Sequence, residues 1–202
     1  MLYTITEERP ARLTVLSYDI QSPRRAYRVR KALEPWRQAK QYSVYETLLG
    51  YGEFRGLIAE LAECCDFATD RLAAWWPLAG LRLIWDKGRL LAGARNGEAN
   101  GAPARLPPYI GDFVLCYDIA DPEALIAVAA AVGAETARVQ RSVYWLRAPA
   151  HRLASLMGRC RDHLAAEDRL WAYPLRGSHA LWQIGEREAV VLPIATHHWS
   201  TS

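Results

Sequence analysis

Two aspartates have positions that favour metal chemistry on phosphodiesters. Asp19 lies near the end of the apolar segment Leu13–Ile20, and Asp118 near the end of Phe113–Ile119, each within the tripeptide Tyr-Asp-Ile. Mg²⁺ binds oxygen ligands, often one or two carboxylates with waters, and it neutralises phosphate charge and lowers the pKa of a bound water. Brought together by folding, Asp19 and Asp118 would be the metal-binding and catalytic residues of an endonuclease using Mg²⁺ or Mn²⁺. Ser43 and Ser142 could support that site through hydrogen bonds.

A structural interpretation of the same aspartates stays open. A carboxylate near a helix start can accept backbone N–H bonds and is favoured there by ~0.3 to 1 kcal/mol. Asp19 also has Arg24 and Arg25 close by in sequence, and an ordinary ion pair would explain those neighbours. The sequence alone does not choose between a metal ligand and a structural acceptor.

A basic segment follows the first aspartate. Residues 22–40 contain seven Arg and Lys side chains against one carboxylate, Glu34. Arginine presents a fixed fork of donors that suits phosphate oxygens, and three of the cations recur at helical spacing. The pattern predicts salt-sensitive, sequence-tolerant binding to a nucleic-acid backbone through Arg24, Arg25, Arg28, Lys31, Arg37 and Lys40. The alternative is a solvated helix face without a ligand.

The chain is a tandem duplication. Tyr18-Asp19-Ile20 recurs 99 positions later as Tyr117-Asp118-Ile119, and Gln-x-Ser-Val-Tyr recurs at 41–45 and 140–144. Each copy predicts a strand, a helix, a strand broken in two, an amphipathic helix and a strand, with one more strand appended. The first helices are expected to begin at Pro23 and Pro122, after the caps Ser22 and Asp121, and the last amphipathic helix to span 149–164. The Gly, Asn and Pro content of residues 95–108 is typical of a connector. We therefore expect domains at 1–95 and 111–202, joined by a linker at 96–110.

This element order predicts an α+β fold of two ferredoxin-like (βαββαβ) domains, each with both helices on one face of its sheet. The open faces are expected to pack sheet to sheet as a pseudo-dimer, either within one chain or between two chains that exchange halves. Tryptophans in apolar strands are assigned to core packing and not to base stacking: Trp75, Trp76, Trp85, Trp171 and Trp182.

Composition narrows the class of protein. The net charge is only +3, no apolar run reaches the roughly 20 residues of a membrane span, and the start lacks a secretory pattern, so a cytoplasmic protein is expected. The four cysteines have no paired metal-binding spacing, and His197 and His198 are given no role.

The motifs together resemble the CRISPR-associated protein 2 family: a strand ending in YDI, a helix opening with PRR, the segment KQYSVYETLL, an amphipathic helix and a strand opening with Asp70. The resemblance implies a ferredoxin-like dimer formed through the sheet faces, a strand that crosses to the partner, and Asp19 as the family's metal-binding aspartate. Copy two keeps FVLCYDI, RVQRSVYWL and DRLWAYPL, but PEALIAVAAAVG replaces the arginine-rich helix.

The resulting hypothesis is a CRISPR adaptation protein that binds duplex DNA, with RNA as an alternative, and acts as a scaffold between integrase subunits in spacer acquisition. Mg²⁺-dependent endonuclease action by Asp19 and Asp118 is a second hypothesis. Two further classes remain: a ribonuclease toxin of the VapD type, and a ferredoxin-like regulatory or protein-interaction module without a nucleic-acid role.

Overall fold

The computed structural model of the chain describes residues 11–36, 39–41, 44–78, 82–86, 89–93, 99–103, 110–175 and 182–184. Two similar halves, each a sheet with two helices, are connected through three intervening strands. The duplication inferred from the repeated motifs is thus present as a repeated fold.

The first half follows the predicted order of elements. Its helices begin at side-chain caps: Ser22 Oγ accepts from Arg25 N at 3.5 Å, and the Glu53 carboxylate accepts from Gly50 N at 2.7 Å. The predicted division of the second strand is confirmed, because Ala39–Gln41 and Val44–Leu49 are separate strands. The elements are β1 (Arg12–Asp19), α1 (Pro23–Leu33), β2 (Ala39–Gln41), β3 (Val44–Leu49), α2 (Tyr51–Cys64) and β4 (Arg71–Trp75).

The second half repeats this order after three added strands. Asp121 caps its first helix by accepting from Ala124 N at 2.7 Å, as predicted. The second helix is shorter than the predicted 149–164. The elements are β5 (Leu83–Asp86), β6 (Arg89–Gly93), β7 (Ala99–Pro103), β8 (Ile110–Asp118), α3 (Pro122–Gly133), β9 (Ala137–Gln140), β10 (Val143–Pro149), α4 (Ala150–Arg161), β11 (Arg169–Leu175) and β12 (Trp182–Ile184).

The two sheets exchange strands. The first sheet has the order β12-β4-β1-β3-β2, so its edge strand comes from the far end of the chain. The second sheet has the order β7-β6-β5-β11-β8-β10-β9, so it takes three strands from the segment that follows the first half. The crossing strand implied by the family resemblance is therefore present in both directions, and both exchanges occur within one chain.

Three clusters of buried side chains hold the layers together. One lies between the first sheet and its helices, including Leu16, Val29 and Leu57, and a second repeats it with Leu115, Val128 and Leu156. The third joins the two sheets face to face: Val15, Val44, Ala73, Trp75, Val114, Cys116, Val139, Val143, Trp171, Tyr173 and Leu175. We call this third layer the seam. The predicted α+β fold of two ferredoxin-like halves packed sheet to sheet is confirmed.

The expected connector is partly structured. Strand β7 lies inside residues 96–110 and pairs with β6, although its composition is typical of a loop. Because β5 and β12 each complete the opposite sheet, no single cut of the chain separates the two sheets. The predicted domains at 1–95 and 111–202, with a linker at 96–110, therefore stay a prediction about how the repeated units divide the sequence.

Two tryptophans assigned to the core, Trp75 and Trp171, are buried in the seam. Trp76 is partly buried, and the side chains of Trp85 and Trp182 lie outside the described residues. All four cysteines are free thiols, and Cys64, Cys116 and Cys160 are buried. Each described helix falls short of the length and apolar character needed to cross a membrane.

Candidate metal centre and nucleic-acid interface

The two repeated aspartates lie on the faces of the sheets that pack against each other. Side chains alternate along a strand, and Val15 of β1 and Cys116 of β8 both belong to the seam. Asp19 is four residues after Val15, and Asp118 is two residues after Cys116, so each has the parity of the seam face. Both aspartates are half-buried at the ends of the central strands.

A short series of contacts connects these two strand ends. The Gln140 side-chain amide donates from Nε2 to Ser17 O at 3.3 Å across the seam. Gln140 pairs with Val143, and Val143 pairs with Cys116, in the second sheet. Asp19 lies two residues after Ser17 in β1, and Asp118 lies two residues after Cys116 in β8. The fold therefore brings both carboxylates to one end of the seam.

Each aspartate has an arginine directly across the strand pair. Asp19 is in register with Arg71 on β4, and Asp118 with Arg169 on β11, and both arginines are exposed. Directly opposed residues of an antiparallel pair have Cβ atoms ~4.5 to 5.5 Å apart, and opposite charges there attract. The sequence analysis missed these arginines, although the repeated Asp-Arg-Leu at 70–72 and 168–170 marks them.

The oxygen atoms at this end of the seam suit a hard cation. Ser17 Oγ and Gln140 Oε1 are buried and have no hydrogen-bond partner within the described part of the chain. No three or more His, Cys, Asp or Glu side chains of the described residues form a metal-binding group. Asp19 and Asp118 with waters would match a ligand set that Mg²⁺ often uses. Ser142 is half-buried in the turn before β10, and Ser43 lies outside the described residues.

A different carboxylate carries the structural role considered for Asp19. Asp70 is fully buried and accepts from Arg25 Nε at 2.5 Å, Arg25 Nη2 at 3.0 Å, Gln21 N at 3.0 Å and Asp66 N at 2.9 Å. Burial acts to raise the pKa of the Asp70 carboxyl, but the Arg25 guanidinium and both backbone donors lower the pKa more, to below its ordinary range. Asp70 thus joins the start of α1 to the turn before β4.

Its counterpart in the second half, Asp168, keeps only the backbone part of this arrangement. Asp168 accepts from Ala120 N at 3.0 Å and from Ala165 N at 2.9 Å. The residue equivalent to Arg25 is Ala124. The first half therefore has an ion pair where the second has an alanine.

The predicted basic stripe lies on the outer face of α1. Arg24, Arg28 and Lys31 are exposed, while Val29 and Leu33 on the opposite side are buried. Arg28 Nη2 also donates to Glu63 O at the end of α2, at 3.3 Å. Arg25 is half-buried, and its guanidinium donates to Asp70. Its contact with phosphate stays a prediction. Arg37 and the side chain of Lys40 lie outside the described residues.

The seam contains one buried ion pair that the sequence analysis missed. Glu46 of β3 accepts from Arg82 Nη1 at 2.9 and 3.0 Å and from the Tyr173 hydroxyl at 2.6 Å. The Arg82 guanidinium also lies over the Trp171 ring, 4.7 Å from its centre. Glu46 belongs to the first half and Tyr173 to the second, and so this group joins the two sheets. No spacing in the sequence marked these distant residues as neighbours.

Comparison with known proteins agrees with this architecture. The sequence model of the family described as CRISPR associated protein Cas2 matches residues 12–75 and again 112–180. Among curated proteins, no relative matches the chain.

Two solved structures show weaker likeness. A hypothetical protein TT1823 from Thermus thermophilus is 25% identical over 41% of this chain and 98% of its own, with a TM-score of 0.34. An anthrone oxidase-like protein is 14% identical over 87% of this chain and 93% of its own, with a TM-score of 0.25. Neither TM-score is high enough to carry a structural argument.

Proposed function

The chain belongs to the CRISPR associated protein Cas2 family and so has a CRISPR-associated role, and we propose that within this role it binds nucleic-acid backbone and acts as a scaffold in spacer acquisition. The observation that carries the proposal is the positive charge exposed on the outer face of α1. That helix has five cationic side chains and no carboxylate, and its stripe of Arg24, Arg28 and Lys31 faces solvent.

Such a stripe favours phosphates over other anions. Cations at helical spacing lie along one line, and the negative charges of a nucleic-acid backbone are also arranged in a line. Arginine contacts to phosphates position a strand without reading its sequence. The proposed ligand is therefore a nucleic acid, bound with low sequence preference and strong salt dependence.

Binding at several salt concentrations tests this function. The double variant Arg24→Ala with Arg28→Ala should bind labelled DNA more weakly and reduce the slope of log affinity against log salt by about 1.4 to 1.8, for two lost phosphate contacts. The matched control is Arg147→Ala with Arg152→Ala, which removes two exposed arginines from the second half. Unchanged affinity and slope in the α1 variant would contradict the proposal.

The joined two-sheet body supports the proposed scaffold role. A seam of buried apolar side chains and exchanged strands fixes the halves relative to each other, as a spacer between integrase subunits requires. Copurification of the full chain with the integrase of the same CRISPR system tests this part. Retention of the integrase supports it, and separate elution at low and moderate salt would contradict it.

A second candidate function is Mg²⁺-dependent cleavage of RNA or DNA. It is favoured by the location of Asp19 and Asp118 on facing sheets at one end of the seam. The two carboxylates would hold the cation, and Ser17 Oγ and Gln140 Oε1 are buried oxygens two residues before Asp19 and on the neighbouring strand β9. A bound Mg²⁺ or Mn²⁺ would supply charge neutralisation at phosphate and a more acidic water. Arg71 and Arg169 would place further positive charge beside the phosphate.

Cation binding and cleavage can be measured separately. Titration calorimetry with Mn²⁺ should give a binding isotherm for the wild type that Asp19→Asn and Asp118→Asn each weaken, because each removes a charged oxygen ligand. Nuclease assays in Mg²⁺ and in EDTA then report on chemistry. Equal cleavage by all three proteins in both conditions would identify a contaminating nuclease and contradict this candidate.

A further inference from the structure

We propose that the outer face of α1 binds unpaired nucleobases by stacking, so that this surface prefers single-stranded nucleic acid over a blunt duplex. The inference rests on the proposed backbone-binding function and names the class of ligand. It arises from two exposed aromatic rings, Tyr27 and Phe67, that the charge pattern alone does not explain.

Tyr27 is part of the basic stripe itself. Its side chain is 61% exposed, three residues after Arg24 and four before Lys31. Residues three and four apart on a helix are neighbours on its surface, ~5 to 6 Å apart at Cβ. The tyrosine ring therefore lies between two cations that would hold consecutive phosphates.

Phe67 lies beside the same helix. It is 59% exposed in the loop between α2 and β4. That loop is held against α1 because Arg25 donates to Thr69 Oγ1 and to Asp70, both at 3.0 Å through Nη2. Arg28 adds a contact to Glu63 O just before the loop. The loop that carries the second exposed ring is thus held against α1.

The second half has neither the rings nor the cations at the equivalent positions. At the positions of Arg24, Tyr27, Arg28 and Lys31 it has Glu123, Ile126, Ala127 and Ala130. The corresponding loop between α4 and β11, residues 162–168, contains no Phe, Tyr or Trp. Among the described residues, the large exposed hydrophobic side chains are aromatic in the first half and aliphatic in the second. The rings and the cations thus occur together in one half, as expected of residues that serve one ligand.

Stacking distinguishes single strands from duplexes. Every base has a π-face, so an aromatic ring stacks on any unpaired base, with an effect of ~1 to 3 kcal/mol per base on alanine substitution. The bases of a blunt duplex are already stacked on one another and are accessible only at its ends. Cations beside exposed rings are the combination found in grooves that bind single strands.

The test compares single and double strands of one sequence. Fluorescence anisotropy of the full chain would be measured with labelled single-stranded DNA and with the blunt duplex. We expect Tyr27→Ala and Phe67→Ala each to weaken single-strand binding about tenfold, Tyr27→Phe to bind within about twofold of the wild type, and duplex affinity to change less. The salt slope should stay at the wild-type value, because no charge is removed.

Tyr51→Ala is the matched control. Tyr51 is also an exposed aromatic residue of the first half, but it follows β3, whose Leu49 pairs with Arg12 at the opposite end of β1 from α1. A 2-aminopurine base in the strand should be quenched by the wild type and less quenched by Tyr27→Ala and Phe67→Ala.

Three results would overturn the stacking proposal. Equal single-strand affinities for the Tyr27, Phe67 and Tyr51 alanine variants, or tighter wild-type binding to the blunt duplex, would refute stacking while leaving backbone binding intact. A wild-type chain that binds neither DNA would refute both proposals.

Discussion

The first helices of the two halves, α1 and α3, occupy equivalent places but present opposite surfaces. Both begin with proline after a side-chain cap, and both bury a valine at the same position of the repeat, Val29 and Val128. The outer face of α1 is cationic and aromatic, whereas that of α3 has one carboxylate, Glu123, and otherwise small or aliphatic residues. Burial has kept the inner faces alike, while the outer faces, which the fold does not constrain, have diverged.

The seam shows the same contrast in its interior. Glu46, Arg82 and Tyr173 form a charged group between the two sheets. The residues equivalent to Glu46 and Tyr173 are Trp145, which packs against the seam, and Trp75, which belongs to it. The two sides of one interface are thus held by different forces. In the seam, this difference is expected to affect the free energy of unfolding. On α1 and α3, the difference in surface charge is expected to affect nucleic-acid binding.

The largest expected effect comes from breaking the charged side of the seam. Glu46→Ala leaves the Arg82 guanidinium buried without its carboxylate and should lower the free energy of unfolding by about 3 to 5 kcal/mol. Urea denaturation measures this. The double variant Glu46→Leu with Arg82→Met removes both charges and should be markedly more stable than Glu46→Ala. A cost below about 1 kcal/mol for Glu46→Ala would mean that the buried pair does not hold the sheets together.

A smaller difference should separate the two turn carboxylates. Asp70→Asn loses charge-assisted hydrogen bonds from Arg25, Gln21 and Asp66 and should cost about 2 to 3 kcal/mol. Asp168→Asn loses only backbone donors and should cost about 1 to 2 kcal/mol. Thermal or urea unfolding measures the loss of stability in each variant. Equal losses would contradict the stabilising role assigned to the ion pair between Arg25 and Asp70.

The pH dependence sharpens this comparison. Because the pKa of Asp70 is lower in the folded chain than in the unfolded one, its contribution to stability is present above the unfolded-state pKa, near 4. That contribution is lost as the pH falls through the lower folded-state pKa. The gap in unfolding free energy between the wild type and Asp70→Asn should therefore narrow below about pH 4. A constant gap down to pH 3 would contradict the assigned shift.

The smallest expected effect is a gain of binding by the second half. Grafting the stripe onto α3 with Glu123→Arg, Ala127→Arg and Ala130→Lys should tighten DNA binding and steepen the salt slope by up to about 2 to 3. The triple glutamine variant at the same positions controls for helix surface and should leave the slope close to the wild-type value. An unchanged slope in the graft would mean that the site needs more than charges at these positions.

Much of the fold could be predicted because it depends on local signals. Pro23 and Pro122 after capping residues predict two helix starts, and the alternation before Asp19 and Asp118 predicts two central strands. The repeat distance then predicts two like halves. The predicted helix ends are less accurate, as for α4, because the last turn depends on packing that the sequence pattern does not specify.

The candidate site was predictable only in part. Asp19 and Asp118 were identified by their repetition, and the basic stripe by its spacing. The Arg71 and Arg169 neighbours were missed because a cross-strand partner is set by register and not by distance in sequence. Arg25 belongs to the stripe by sequence, but the fold directs it to Asp70, 45 residues away. Ser43, Arg37 and the Lys40 side chain lie outside the described residues and stay predictions.

The sequence by itself determined the duplication, the order of helices and strands, and which helix carries positive charge. These follow from periodicity, caps and charge, which act over a few residues. Only the tertiary structure decided that β5 and β12 complete opposite sheets, that Glu46 meets Arg82 and Tyr173, and that both aspartates reach one end of the seam. Those contacts join residues far apart in the chain, and buried area and hydrogen bonding in the complete fold select them.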